Sequence, residues 1–203
     1  MTIRLHDVRN SFETLFSSME RAGIHVIDTD IDYYWTIPLG DAYETKAPEV
    51  SVGSLVDDLE SLRKVLNKKN PSTTIDFERL GNVITILGHV SFMPKKPLAH
   101  KQVQIQVREI KQLCDLLLQK ATASGFEEVT FSQTQYWNID CTDACDFSRS
   151  PIPQRRSLSE DWEKLVNAKQ VSAEFLESIG RVLKVIGEAI HTSNNKINWL
   201  LHE

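Results

Sequence analysis

The order of hydrophobic and polar positions predicts helices in several parts of the chain. From Val8 to Ala22, hydrophobic residues recur every three or four positions, and Gly23 follows as a candidate C-cap. Segments 75–92 and 172–191 are apolar over helical lengths and predict two further helices. Each contains two glycines seven residues apart. Residues at that spacing lie on one helix face, so these glycines favour close helix packing. The two pairs are Gly81 with Gly88 and Gly180 with Gly187.

Alternating hydrophobic and polar residues from Ile27 to Ile37 predict one half-buried strand. We expect Trp35 on its apolar side, in the core, and Tyr34 on its polar side. The segment from Val129 to Ile139 alternates in the same way, and it predicts a buried Trp137 and an outward Tyr136. The residues of the apolar side in the first segment are Ile27, Ile31, Tyr33, Trp35 and Ile37, and those of the polar side are Asp28, Asp30, Asp32 and Tyr34.

Turn and capping residues predict the elements that follow each strand. Pro38 to Asp41 supplies turn residues, so we expect a hairpin that returns through residues 42–52. Ser54 precedes an acidic residue by three positions, as does Ser157. A serine hydroxyl in this arrangement accepts a hydrogen bond from an unpaired backbone N–H, so both serines are predicted to begin helices.

Similar sequence blocks recur in the same order in both parts of the chain and predict a tandem duplication. The lysine- and proline-containing segment 93–101 lies between them as a linker. We therefore predict a first unit at residues 1–92 and a second at residues 102–203. The fold class is α+β, and each unit has a helix, a strand or hairpin, and a helix pair. The matching blocks are 21–37 with 122–139, 54–62 with 157–165, and 80–90 with 179–189.

Composition and charge narrow the classes of function. The chain has 203 residues and a formal net charge of -5, which argues against nucleic-acid binding through a basic face. No apolar run approaches the roughly 20 residues needed to span a bilayer, so we expect a cytoplasmic protein that does not interact with membranes. The three cysteines are an odd number in one part of the chain, and we expect reduced thiols.

The aspartates at positions 28, 30 and 32 are the first candidate site. Carboxylates at this spacing could bind Ca²⁺ or Mg²⁺, form an acidic binding face, or be solvated. The second unit has Thr130, Ser132 and Thr134 at these positions. We therefore expect no metal or catalytic site here, and a solvated or partner-binding face remains.

Asp58 and Asp161 form a second candidate site because both units retain them. They follow predicted helix starts, where carboxylates stabilise exposed backbone amides, and they could also bond a neighbouring strand or face a shared groove. No nucleophile, phosphate-binding or dinucleotide motif is present, so no cofactor is expected. Cys141 and Cys145 lack a second cysteine pair, which argues against zinc, and Cys114 is predicted to lie in the core.

The pattern YYWxI, a proline-containing stretch and SLxDDxExL resemble small uncharacterised bacterial proteins, some of which are regarded as immunity-type partners of toxins. The resemblance covers roughly residues 32–88 and implies a bacterial origin and a protein partner, but no catalytic activity. It has a fainter echo in the second unit. The matching residues are Tyr33, Tyr34, Trp35, Ile37, Pro48, Ser54, Leu55, Asp57, Asp58, Glu60, Leu62 and Gly88.

Two functions follow as hypotheses. The first is a non-catalytic module that binds a basic protein partner through an acidic, tyrosine-bearing face. The second is an enzyme or small-ligand protein with a site in the cleft between the units. Convergence of Asp58 and Asp161 in that cleft would favour this hypothesis. The residues assigned to partner binding are Asp28, Asp30, Asp32, Tyr34, Tyr136, Asp58 and Asp161. The cleft of the second hypothesis is expected to be lined by Asp58, Asp161, Tyr34 and Tyr136.

Overall fold

The fold is taken from a computed structural model that describes residues 1–38, 40–92, 103–168 and 171–194. Of Phe92, Ser193 and Asn194 only the backbone is described. We call residues 1–92 the first half and residues 103–194 the second half. The predicted linker at residues 93–101 lies outside the described residues. The protein is a mixed structure of helices and small antiparallel sheets.

The two halves have a similar order of elements. The first half contains β1 (Thr2–Arg4), α1 (Leu5–Arg21), β2 (Val26–Thr29), β3 (Tyr33–Thr36), β4 (Ser51–Ser54), α2 (Leu55–Leu66) and α3 (Ile75–Phe92). The second half contains β5 (Val103–Gln106), α4 (Val107–Ala123), β6 (Glu128–Thr130), β7 (Gln135–Asn138), α5 (Cys141–Ala144), β8 (Gln154–Ser157), α6 (Leu158–Asn167) and α7 (Ala173–Asn194).

The strand that opens each half pairs with a strand of the other half. Strand β1 is antiparallel to β6, with Ile3 opposite Val129, and β5 is antiparallel to β2, with Ile105 opposite Ile27. These four side chains are buried, while their neighbours along the strands are mostly exposed. Alternation therefore turns one side of each two-stranded sheet toward the core. Strands β1 and β5 were not predicted, because they are short and directly precede helices.

The predicted single strand at residues 27–37 is wrong, because the chain forms two short strands with different partners. Strand β2 pairs with β5, whereas β3 pairs with β4. A hairpin was expected, but its returning strand is Ser51–Ser54 and not residues 42–52, because a loop separates β3 from β4. The Thr29 hydroxyl accepts a hydrogen bond from the Ile31 N–H at 3.1 Å, a local turn that ends β2. Thr29 and Tyr34 are both buried, although an uninterrupted strand would turn these two side chains to opposite sides. The turn between β2 and β3 therefore reverses which side chains face inward.

Serine caps and amphipathic faces produce the shorter helices as expected. The Ser54 hydroxyl accepts a hydrogen bond from the Asp57 N–H at 3.2 Å, and Ser157 accepts one from the Glu160 N–H at 3.4 Å. Gly23 follows α1 with a φ of 73°, a conformation that favours glycine. The buried face of α1 consists of Leu5, Val8, Phe12, Leu15, Phe16 and Met19.

Helices α3 and α7 form the centre of the protein and cross where Gly81 meets Gly180. A Cβ atom added to either glycine would lie 2.5 Å from the carbonyl oxygen of the other, so neither position has room for a side chain. Toward the helix ends, Gly88 faces Leu176 and Gly187 faces Phe77. The two helices are therefore antiparallel, and the predicted close packing through glycines is confirmed.

One hydrophobic core joins the two halves. Buried side chains of α1, α3, α4 and α7 belong to the same cluster, to which the opening strands also contribute. In the part of the chain that the structure describes, no helix is both long and apolar enough to cross a membrane.

Candidate functional site

The three aspartates of the first candidate site lie on the surface. Asp28 is on the outward side of β2, and Asp30 and Asp32 follow in the turn that leads to β3. Tyr33 comes next, and 59% of its surface is exposed. None of the ion pairs formed among the described residues includes these aspartates. The surface formed by Asp28, Asp30, Asp32 and Tyr33 is called the acidic face below.

The predicted exposure of Tyr34 and Tyr136 is wrong. Only 3% of Tyr34 and 2% of Tyr136 are exposed, because the turn after each preceding strand reverses the alternation. Trp35 and Trp137 are half-buried instead of lying in the core. The two buried tyrosines therefore do not belong to a face that a partner could contact.

In the first half, Tyr34 forms a buried cluster with Asp58. The Tyr34 hydroxyl donates a hydrogen bond to Asp58 Oδ2 and accepts one from Asn82 Nδ2 at 3.1 Å. Arg79 Nε lies 3.6 Å from Asp58 Oδ1. Burial raises the pKa of Asp58, while the Tyr34 hydrogen bond and the Arg79 charge oppose this rise. Gly53 lies beside the ring, and a Cβ there would stand 2.4 Å from Tyr34 Cζ.

In the second half, Tyr136 forms a more deeply buried cluster with Asp161. The Tyr136 hydroxyl donates to Asp161 Oδ2, and Arg181 donates to both carboxylate oxygens, the shortest contact being 2.6 Å. Ser178 adds a further hydrogen bond to Asp161 at 3.2 Å. Paired donors of this kind offset the cost of removing a carboxylate and a guanidinium from water.

The contacts of Asp58 and Asp161 indicate a structural role for both carboxylates. Each carboxylate accepts hydrogen bonds from a tyrosine of its own half, and each has an arginine beside it. Asp161 is buried, and Asp58 is largely so. Their assignment to a partner-binding face is therefore wrong, because both are used in holding a strand to the helices. Neither acid lines the cleft of Glu78, Lys184 and Glu188 that is described next.

A cleft between the halves contains charged residues that the sequence analysis did not identify. It includes Glu78 of α3 with Lys184 and Glu188 of α7. Lys184 Nζ donates to Thr36 Oγ1 at 3.3 Å. Burial lowers the pKa of Lys184, and the nearby carboxylates oppose that change. In the sequence, Lys184 and Glu188 are one helical turn apart, but α7 also carries Glu174, Glu177 and Arg181, so the pair does not stand out.

Glu188 is a buried carboxyl group of this cleft with a raised pKa. Only 3% of the residue is exposed. Burial raises its pKa from 4.5 to about 7, and the charges of Asp41 and Glu78 act in the same direction. A hydrogen bond from the Tyr43 backbone N–H and the Lys184 charge oppose the rise. Glu188 thereby connects α7 to the loop after β3.

Each of the two tryptophans contacts a loop of the opposite half. Trp35 Nε1 donates to the Asp146 carbonyl at 3.2 Å, and its ring stacks on Phe147 with centroids 5.1 Å apart. Trp137 Nε1 donates to the Glu44 carbonyl at 2.8 Å, and the Arg155 guanidinium lies 4.2 Å from the Trp137 ring centroid. Each tryptophan therefore holds the loop that follows the first hairpin strand of the opposite half.

Cys141 and Cys145 lie one turn apart at α5. Cys141 is buried and its thiol donates to the Thr85 carbonyl of α3 at 3.5 Å, whereas Cys145 is half-buried. Cys114 is buried in the core as predicted. Among the described residues, no group of three or more His, Cys, Asp or Glu side chains is placed to hold a metal ion.

Comparison with known proteins gives no match to a protein-family model, a curated protein or a solved structure.

Proposed function

We propose that this protein is a non-catalytic binding module whose acidic face contacts a basic protein partner. The observation that carries the proposal is the exposure of Asp28, Asp30 and Asp32 beside an exposed aromatic ring. Among the described residues, no lysine or arginine forms an ion pair with these carboxylates. They are therefore available to a cation supplied from outside.

The contrast with the buried acids supports this proposal. Asp58 and Asp161 have tyrosine and arginine partners within the fold, so their charges are already balanced. Uncompensated surface charges of one sign speed the encounter with an oppositely charged partner and select against partners of like charge. The formal net charge of -5 acts in the same direction.

Tyr33 takes the role that the sequence analysis gave to Tyr34. It directly follows Asp32, and its side chain is exposed. Tyrosine is enriched among the residues that contribute most to protein interfaces, because it buries a large ring and retains a polar hydroxyl. A basic partner would place cationic side chains on the aspartates and pack against this ring.

We propose further that the two halves are copies of one ancestral unit. The reciprocal strand pairing, the Gly81–Gly180 crossing and the two tyrosine–aspartate clusters support this duplication. The acidic face, however, has Thr130, Ser132 and Thr134 as its counterparts in the second half. The proposal therefore implies one partner-binding face, and hence one partner, per chain.

The sequence resemblance supports a more specific form of the proposal. A bacterial immunity-type protein in the cytoplasm would use the acidic face to cover a basic toxin. Immunity proteins act by binding, which agrees with a role in which no residue of the acidic face takes part in catalysis.

The test compares a triple variant with a charge-matched control. In the first, Asp28, Asp30 and Asp32 are changed to Asn. In the control, Glu127, Glu128 and Glu163, all exposed in the second half, are changed to Gln. Proteins captured from the source cells by the wild type are identified, and their association rates are measured at low and high salt.

We expect the triple variant to slow association at low salt by at least about tenfold and to weaken its salt dependence. The control should retain the wild-type rate, because its charge change lies elsewhere. Equal, salt-insensitive rates for all three proteins would exclude the acidic face, as would an equal loss in the control. Circular dichroism checks that both variants remain folded.

A further inference from the structure

Cys141 and Cys145 lie one turn apart, as the first residue and the C-cap of α5, the shortest helix of the described residues. The backbone N–H of Cys145 donates to the Cys141 carbonyl at 3.1 Å, which closes one helical turn. The two side chains are close enough for each thiol to shift the pKa of the other. In an α-helix, residues four apart have Cα atoms about 6 Å apart, within the range that a disulfide bridges.

The Cβ atoms impose a further condition on such a bridge. On a regular helix, Cβ atoms four residues apart are about 5–6 Å apart, whereas a disulfide holds them at about 3.8 Å. Cys145 must therefore move toward Cys141 for the bond to close. Helix α5 consists of four residues and Cys145 is its C-cap, so this movement disturbs only one turn.

We propose that Cys141 and Cys145 form a dithiol that a peroxide oxidises to an intramolecular disulfide, and that closure moves Asp146 and Phe147 away from Trp35. The two moving residues directly follow Cys145. They supply the carbonyl that accepts from the Trp35 indole and the ring that stacks on it. Closure also removes the thiol proton that Cys141 donates to the Thr85 carbonyl.

The environment of the two thiols gives them different roles in the reaction. Cys145 is half-buried, and the neighbouring Cys141 thiol lowers the pKa of the Cys145 thiol. The neighbouring Cys145 thiol and burial raise the pKa of Cys141. Cys145 is therefore the attacking thiolate and Cys141 the resolving thiol, because the thiolate is the nucleophile in these reactions.

The oxidation occurs in two steps with hydrogen peroxide as the oxidant. The Cys145 thiolate attacks one peroxide oxygen, the O–O bond breaks, and the leaving hydroxide takes a proton to become water, which leaves a sulfenic acid on Cys145. The Cys141 sulfur then attacks the Cys145 sulfur, the S–O bond breaks, and a second water leaves with the thiol proton. Together, the two thiols lose two electrons and two protons, and the peroxide is reduced to water.

Tryptic digestion separates this pair from the remaining cysteine. Residues 121–149 contain both thiols without an internal lysine or arginine, whereas Cys114 lies in the peptide of residues 112–120. The folded full chain is treated with hydrogen peroxide, free thiols are alkylated, and the digest is weighed. We expect peptide 121–149 to lose two hydrogen atoms and to escape alkylation, while Cys114 stays reduced. Dithiothreitol should reverse the change.

Two variants test the order of the steps. In C141S, Cys145 should stop at the sulfenic acid and react with dimedone, whereas C145S should neither form that adduct nor oxidise at a comparable rate. Movement of the loop is followed by tryptophan fluorescence, with W35F as the control. We expect a red shift on oxidation of the wild type that is absent in W35F.

Three results would overturn the proposal. The first is complete alkylation of both thiols after peroxide treatment, and the second is disulfide-linked dimers in place of the internal bond. The third is a disulfide that leaves the Trp35 emission unchanged. The mass measurement uses the wild-type chain, so it stays decisive even when a variant fails to fold. Because the acidic face plays no part in it, the result is independent of the proposed binding function.

Discussion

The carbonyl oxygens of Gly81 and Gly180 each occupy the space that a side chain would need on the opposite helix. This reciprocal contact sets the distance between α3 and α7, to which the tyrosine–aspartate clusters and the cleft are attached. In G180A, the new Cβ would lie 2.3 Å from Thr85 Oγ1 and 2.5 Å from the Gly81 carbonyl oxygen. The helices must then separate.

We expect G180A to lower the free energy of unfolding by about 1–3 kcal/mol, although alanine favours a helix over glycine by up to about 1 kcal/mol. Urea denaturation measures the change. The double variant G81A/G180A should lose less than the sum of the single losses, because the first separation accommodates the second side chain. An increase in stability for G180A would mean that the helices do not cross at these residues.

The two buried tyrosines should respond differently to removal of their hydroxyl groups. In Y34F, Asp58 loses its tyrosine donor and keeps Arg79 at 3.6 Å, so we expect a loss of about 1–3 kcal/mol. In Y136F, Asp161 retains hydrogen bonds from both Arg181 and Ser178. We therefore expect a smaller loss there, again measured by urea denaturation.

Exposed Tyr33 supplies the matched control for this pair. Y33F removes a hydroxyl from a side chain that is mostly in solvent, and its stability should stay within about 0.5 kcal/mol of the wild type. A larger loss in Y136F than in Y34F would show that the arginine does not compensate for the missing hydroxyl.

Stability should fall as pH rises because of Glu188. Its pKa is about 7 in the folded chain and 4.5 ordinarily, so between these values the folded state holds a proton that the unfolded state has released. The free energy of unfolding therefore decreases across this window, by up to about 3 kcal/mol at roughly 1.4 kcal/mol per pH unit. Above pH 7 this contribution stays constant.

The measurement compares urea denaturation at pH 5 and pH 8 for the wild type and E188Q. Asp58 and Glu177 also have raised pKa values and contribute in the same direction, so the difference between the two proteins isolates Glu188. Between pH 5 and pH 8, we expect the free energy of unfolding to decrease less in E188Q than in the wild type. In E163Q, which removes an exposed carboxylate, the decrease should equal that of the wild type. An identical decrease in wild type and E188Q would exclude the assigned role.

Local physical chemistry made several elements predictable from the sequence. Ser54 and Ser157 cap helices because their hydroxyls satisfy amides only three residues away. The apolar segments became α3 and α7, and their glycines meet because residues seven apart share a face. Exposure of Asp28, Asp30 and Asp32 was also expected, since charged side chains stay in water unless they find partners.

The tertiary structure decided what depends on residues far apart in the chain. Alternation of hydrophobic and polar residues predicted that Tyr34 and Tyr136 are exposed. A turn in each half reverses which side chains face inward, and the alternation does not show where such a turn occurs. Burial of Glu188 and contact of Cys141 with Thr85 require the two halves to pack together. The sequence by itself determined the helices, their caps and the exposed acids through short-range interactions. Which polar groups became buried and paired was decided only when distant segments met.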